Sequence, residues 1–178
     1  MKKVLSLFCV LGFAGWCLWS CSGPHSYPET PEITFKSLSF ESVTTDLGSD
    51  QMAVLIFSFV DGDGDIGVRS PDDSISKIHY TWYKKLPDGR YEPYQFPNTG
   101  TVTDSTAIPY GSVMNKDEAN NRTLKGTIQI ALSAPRNPQN VDTMRIDFYI
   151  FDRARNKSNI ENTPDFSILN PPEEMLTK

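Results

Sequence analysis

The chain has 178 residues, 38% of them hydrophobic and 11% aromatic, which is ample for one packed domain. With 17 basic against 22 acidic residues its formal charge is −5, and this argues against a nucleic acid or an anionic lipid surface as the ligand. Catalysis finds little support. The two histidines are His25 and His79, the cysteines are Cys9, Cys17 and Cys21, and neither a G-x-S-x-G elbow nor an H-E-x-x-H pair occurs, so the chain is read as non-enzymatic.

Residues 1–20 start with Lys2 and Lys3, continue through an apolar run from Val4 to Trp19, and end at Leu18-Trp19-Ser20-Cys21. That order of charge, apolar core and cleavable end is an export signal, and the apolar run is shorter than the ~20 residues a spanning helix needs. Leu18-Trp19-Ser20-Cys21 resembles a bacterial lipobox, although Trp19 is unusual in the variable position. The resemblance implies that Cys21 becomes the acylated first residue of the mature protein, held at the bacterial outer membrane by its lipid. Acyl chains contribute ~0.8 kcal/mol per buried methylene, so two or three make the attachment lasting. Loss of Lys2 and Lys3 takes the mature chain to a net of −7. With Cys9 and Cys17 inside the signal, a disulfide within the mature chain is excluded.

Residues 22–31 (SGPHSYPETP) hold three prolines and no apolar period, as an extended tether would. The acidic run that follows the cysteine in many surface-exported lipoproteins of the Bacteroidetes is missing, so the periplasmic and surface sides both stay open. Alternation then begins, through Ile33 and Phe35 and, after a phase slip near Ser37, through Leu38 and Phe40: one strand with a bulge. Residues 51–60 (QMAVLIFSFV) are apolar on both parities, as in a central strand covered on both faces. Further strands are expected over residues 77–86 and 90–96, joined by a Pro87-Asp88-Gly89 turn, with one short edge strand among the loops of 97–121. Strands over 122–132 and 143–151 and a last one around 166–169 complete the set. The expected parse is a signal over 1–20, a lipid anchor and flexible tether over 21–31, a sandwich over 32–170 and a frayed tail over 171–178.

About seven short strands at regular spacing, with turn signals between them and no helical period, predict an all-β antiparallel sandwich. Immunoglobulin-like or fibronectin-III-like topology is the best single expectation. The run FSFVDGDGDIG resembles a segment of small lipoproteins of the Bacteroidetes. Residues 151–159 (FDRARNKSN) resemble the D-x-x-G-N-x-S ending of bacterial immunoglobulin-like modules, with Arg155 where glycine is usual.

The loop Asp61-Gly62-Asp63-Gly64-Asp65-Ile66-Gly67 places three carboxylates at alternate positions straight after the most apolar strand. Asp61, Asp63, Asp65 and Asp72 fall at positions 1, 3, 5 and 12 of an EF-hand loop, but Ile66 replaces the turn glycine and no helices flank it. An EF-hand is therefore rejected, and a looser Ca²⁺ loop is set against a solvated turn countered by Arg69 or Arg153. The Ca²⁺ reading implies an affinity on the order of 10⁻⁴ to 10⁻³ M. If the strand from Gln51 is B and that from Thr143 is F of a sandwich, their following loops share a pole. Asp152 and Asn156 then approach the three aspartates, and either Asp152 completes a cation site or Arg153 and Arg155 neutralise the loop.

Alternation turns Tyr80 and Trp82 inward, where a buried Trp is an ordinary sandwich feature, and leaves Tyr83 outward beside Tyr91. Those two tyrosines are the candidate ligand-facing aromatics. They support an alternative function, a surface glycan-binding accessory lipoprotein, beside the leading one of a lipid-anchored binding or scaffolding module. The partner is expected to be an unidentified protein or glycan and the protein a monomer.

Overall fold

The computed structural model describes residues 27–45, 48–67, 77–96, 103–108, 123–135, 141, 143–172 and 175. The export signal, Cys21, His25, Arg69 and Asp72 lie outside these residues. Eight strands follow one another among the described residues: β1 (Glu32–Thr45), β2 (Gly48–Asp61), β3 (Lys77–Lys85), β4 (Tyr91–Pro93), β5 (Thr103–Ala107), β6 (Leu124–Ser133), β7 (Met144–Ile150) and β8 (Glu161–Asn162). Every pairing among them is antiparallel. One sheet has the order β1-β2-β6; the other runs β4-β3-β7-β8, with β5 also on β3.

Period-two alternation gives each sheet an apolar face. Ile33, Leu38 and Phe40 of β1, Leu55, Phe57 and Phe59 of β2, and Ile128 and Leu132 of β6 meet Ile78, Tyr80 and Trp82 of β3 and Met144, Ile146, Phe148 and Ile150 of β7 in one core. Ring contacts cross between the sheets, Phe57 with Phe148 at 5.2 Å and Phe40 with Phe166 at 5.3 Å. Each such pair contributes about 0.5–1.5 kcal/mol beyond burial. The result is the expected all-β antiparallel sandwich, with eight strands among the described residues where about seven were expected.

The phase slip near Ser37 is a register shift between Phe35 and Ser37 against β2. It keeps Phe35 and Leu38 on the same face, as a bulge does. Pro87-Asp88-Gly89 makes the turn between β3 and β4, with Gly89 at φ 84° and the Leu86 amide donating to the Arg90 carbonyl.

Several expectations are corrected. On the outward parity of β2, Val54 is buried but Met52, Ile56 and Val60 are half-buried rather than fully covered, with polar partners such as Ser37 and Gln129 beside Ile56 and Glu32 and Lys125 beside Val60. The strand over 90–96 shortens to β4, after which the Tyr94 amide still donates to the Trp82 carbonyl. The last strand is not at 166–169 but at β8, while Phe166 makes only an isolated bridge to Met144. Side chains take over where β8 stops: the Ile146 amide donates to Thr163 Oγ1 and the Ile150 amide to Ser158 Oγ, each at 3.0 Å. The tail is not wholly frayed, because Met175 packs against the core. Nor does the tether run free up to β1, since Pro31 is buried and the Pro28 carbonyl accepts from the Gly62 amide at 2.9 Å.

The outer edge of β1 is completed by side chains from the segment around β8. Asn159 acts as a strand partner for Ile33, accepting from its amide at 2.8 Å and donating to its carbonyl at 2.9 Å, and Glu161 accepts from the Phe35 amide.

Candidate metal centre

Strands β2 and β7 end at one pole of the sandwich, so the loops that follow them face each other. Asp61 is the last residue of β2 and Asp152 lies two residues past β7; both are fully buried. The loop after β2 turns on Gly64 (φ 70°) and Gly67 (φ 98°), left-handed positions where a side chain is strained. Ile66, at the position that disqualified an EF-hand, is fully buried and plugs the loop into the core. Burial of such a side chain contributes about 1.5–3 kcal/mol.

One carboxylate oxygen of Asp61 shapes this loop. Asp61 Oδ2 accepts from the Asp65 amide at 2.8 Å and the Ile66 amide at 3.2 Å. The opposite loop is closed by Asn156, whose backbone amide and Nδ2 donate to Asp152 Oδ1 and Oδ2, each at 2.7 Å. The same turn places Arg155 at φ 73°, the left-handed conformation that explains why glycine suits this position. The two loops are sewn together by the Ala154 amide, donating to Asp65 Oδ2 at 2.8 Å, and the Arg153 amide, donating to the Asp65 carbonyl at 3.3 Å.

Asp61, Asp63, Asp65 and Asp152 each offer an oxygen, and these four atoms lie within 4.8 Å of one another, a cluster that can hold a metal ion. Asp61 Oδ1, Asp63 Oδ1 and Asp65 Oδ1 are buried without a hydrogen-bond partner among the described residues. Buried polar atoms are normally satisfied, and a buried charge without a partner is costly. Burial and the neighbouring Asp63 push the Asp61 carboxyl up to about 7, against the opposing pull of the Asp65 amide. Burial, Asp152 and Asp63 likewise raise Asp65, opposed by the Ala154 amide and Arg153.

Asp152 joins the three aspartates. Of the two arginines set against it, Arg153 reaches across to the loop: it helps hold the Asp65 carboxyl down, and its Nη1 donates to the carbonyls of Ile66 (3.4 Å) and Gly67 (3.1 Å). Asn156 approaches as a brace for Asp152.

The donor set fits a hard cation. Oxygens bound to one Ca²⁺ at 2.3–2.6 Å sit at most about 5 Å apart, and the four carboxylates meet that bound. An all-oxygen set lacks the nitrogen and sulfur that structural Zn²⁺ sites use. Mg²⁺ keeps most of its waters and takes one or two carboxylates, whereas four carboxylates suit the larger, more adaptable Ca²⁺ shell.

Tyr83 and Tyr91 sit on the outer face of the second sheet, both half-buried. Arg145 lies over Tyr91 at 3.9 Å and over Tyr83 at 5.5 Å. Tyr91 donates its hydroxyl to Asp165 at 2.6 Å. One ring face of Tyr91 is thereby taken by a guanidinium. His79, on the same face of β3, stacks on Tyr149 at 5.1 Å and meets Phe151 edge-on; burial, with Lys77 and Lys157 nearby, holds its imidazole below the ordinary value.

Comparison with protein-family models, with curated proteins and with solved structures finds no match to this chain. The fold and the pole define the class: an all-β sandwich with a four-carboxylate centre that can hold a cation.

Proposed function

We propose that this chain is a lipid-anchored, non-enzymatic module of the bacterial envelope that binds or scaffolds a partner, with a structural Ca²⁺ at the pole formed by Asp61, Asp63, Asp65 and Asp152. The metal half of this reading is carried by the convergence of the four aspartates, three of which keep a buried oxygen without a hydrogen-bond partner among the described residues. A cation there would add to the counter-charge that Arg153 alone gives four carboxylates. It would tie the loop after β2 to the loop after β7 and so order the end of the sandwich best placed to present a binding surface. The anchoring half rests on the lipobox-like Leu18-Trp19-Ser20-Cys21.

Two measurements test it. Thermal melting of the protein in EDTA and in millimolar Ca²⁺ is expected to show a higher midpoint with Ca²⁺, because a ligand that binds the native state stabilises it by mass action. An unchanged midpoint removes Ca²⁺ from the account. Membrane fractionation of wild type and Cys21→Ser is expected to move the protein from the membrane to the soluble fraction; equal partitioning of both refutes the anchor.

A further inference from the structure

The antiparallel register carries the chain entering β1 alongside the chain leaving β2, because Glu32 pairs with Val60. The residues before β1 therefore meet the acidic loop, and the contact is specific. The Gly62 amide donates to the Pro28 carbonyl at 2.9 Å. A Cβ built on Gly62 would land on the carbonyl oxygens of Tyr27 and Pro28, so this position needs glycine for space. On the neighbouring strand Lys125, paired with Val60, closes over Tyr27: its Nζ sits 3.7 Å from the ring centroid and donates to the Tyr27 hydroxyl.

Gly62 lies between Asp61 and Asp63, two of the four converging carboxylates. Asp61 is fully buried with one oxygen unpartnered, so the demand for a cation falls on the residue that fixes the Gly62 amide. We propose that residues 27–31 form a cation-dependent latch: Ca²⁺ held by Asp61, Asp63, Asp65 and Asp152 fixes Gly62, and Gly62 with Lys125 holds Pro28 and Tyr27 against the domain. Loss of the cation frees Asp61 and Asp63 to separate, moves the Gly62 amide and releases the segment. The latch sets where the N-terminal chain leaves the sandwich, and so how the domain is oriented relative to whatever that chain is attached to. It rests on the Ca²⁺ reading above and adds a consequence which that reading does not require.

Coupling of this kind is reciprocal: the factor by which Ca²⁺ favours docking is the factor by which docking favours Ca²⁺. The test is limited proteolysis of the full chain by a Glu-specific protease, in Ca²⁺ and in EGTA, with Ca²⁺ titration calorimetry on the same samples. Because cleavage after Glu29 requires residues 27–31 to leave the domain, Ca²⁺ is expected to slow it at least about tenfold in wild type. In Gly62→Ala cleavage after Glu29 is expected to be rapid with or without Ca²⁺. Tyr27→Ala, whose side chain is clasped by Lys125 outside the carboxylate cluster, is expected to bind Ca²⁺ at least about fivefold more weakly. If Ca²⁺ binds in the calorimeter while cleavage after Glu29 is unchanged, the latch is overturned and the metal centre stands. Unchanged Ca²⁺ affinity in Tyr27→Ala overturns the coupling in the same way. If no Ca²⁺ binding is detected in wild type, the metal centre and the latch fall together.

Discussion

Two charged regions of this molecule use similar residues to opposite ends. On the outer face of the second sheet two carboxylates each have a cation beside them: Arg145 meets Asp147 at 2.9 Å and Lys85 meets Asp165 at 2.7 Å, with Tyr91 donating to Asp165 as well. At the pole four aspartates converge, three of them with a buried oxygen that has no hydrogen-bond partner among the described residues, and Arg153, which helps hold the Asp65 carboxyl down, also donates to backbone carbonyls. In the first region the carboxylates are matched one to one by cations of the protein. In the second four carboxylates outnumber the one guanidinium shown to act on them, which is why it carries the functional reading.

The sharpest way to break that comparison is to supply or withhold the cation. At free Ca²⁺ about 100 times its dissociation constant the folded state gains about 2.7 kcal/mol. That gain corresponds to a midpoint shift of roughly 5–10 °C for a domain of this size. Asp61→Asn should abolish the shift. It should also make the metal-free protein more stable than metal-free wild type, because the amide keeps an oxygen for the Asp65 and Ile66 amides and removes one of the repelling charges. A wild-type-like response to Ca²⁺ in Asp61→Asn would exclude Asp61 as a ligand.

Acidity probes the same imbalance without metal. Folding raises the Asp61 carboxyl from its ordinary 3.8 to about 7, so between those values the folded state holds more protons than the unfolded chain. Stability of the metal-free protein should then fall as pH rises from about 4 to 7, and Ca²⁺ affinity should rise over the same interval as protons leave the site. Denaturant unfolding at pH 5 and pH 7.5 in EDTA checks the sign; greater stability at pH 7.5 contradicts it.

The paired region should respond differently. Burial pushes the Asp147 carboxyl up and Arg145 opposes that, so Arg145→Ala leaves a half-buried acid without its counter-charge. The expected cost is about 1–3 kcal/mol by denaturant unfolding, equal with and without Ca²⁺. A cost that varied with Ca²⁺ would mean that the two regions are coupled. The smallest effect is expected at Arg155, where relief of the left-handed backbone by Arg155→Gly should gain about 0.5–1 kcal/mol.

Much of the fold, and the meeting of the two loops at the pole, is legible in the sequence. Alternation located the long strands, because a strand with one buried face must repeat every second residue. The same topology predicted that the loops after β2 and β7 would meet, which brought Asp152 to the three aspartates. What escaped notice has no period. Asn156 as the brace of Asp152, and the Ala154 amide as a link to Asp65, depend on a turn of five residues whose shape shows in the sequence only as a likeness to D-x-x-G-N-x-S. Tyr27 against Lys125 and Pro28 against Gly62 join residues far apart in sequence, and the three prolines around them spoke for a free tether. The last strand was misplaced for a related reason: along β7, Thr163 and Ser158 supply side-chain oxygens where a strand would supply carbonyls, and hydroxyl residues carry no strand pattern.

Asn159 has a consequence beyond holding two segments together. A lipid anchor would concentrate copies of this chain on a surface, where an open sheet edge invites the next molecule to add a strand. By occupying both the amide and the carbonyl of Ile33, with Glu161 on the Phe35 amide, the molecule spends the first part of the β1 edge on itself. Strand addition by a neighbouring copy is thereby denied the Ile33–Phe35 stretch.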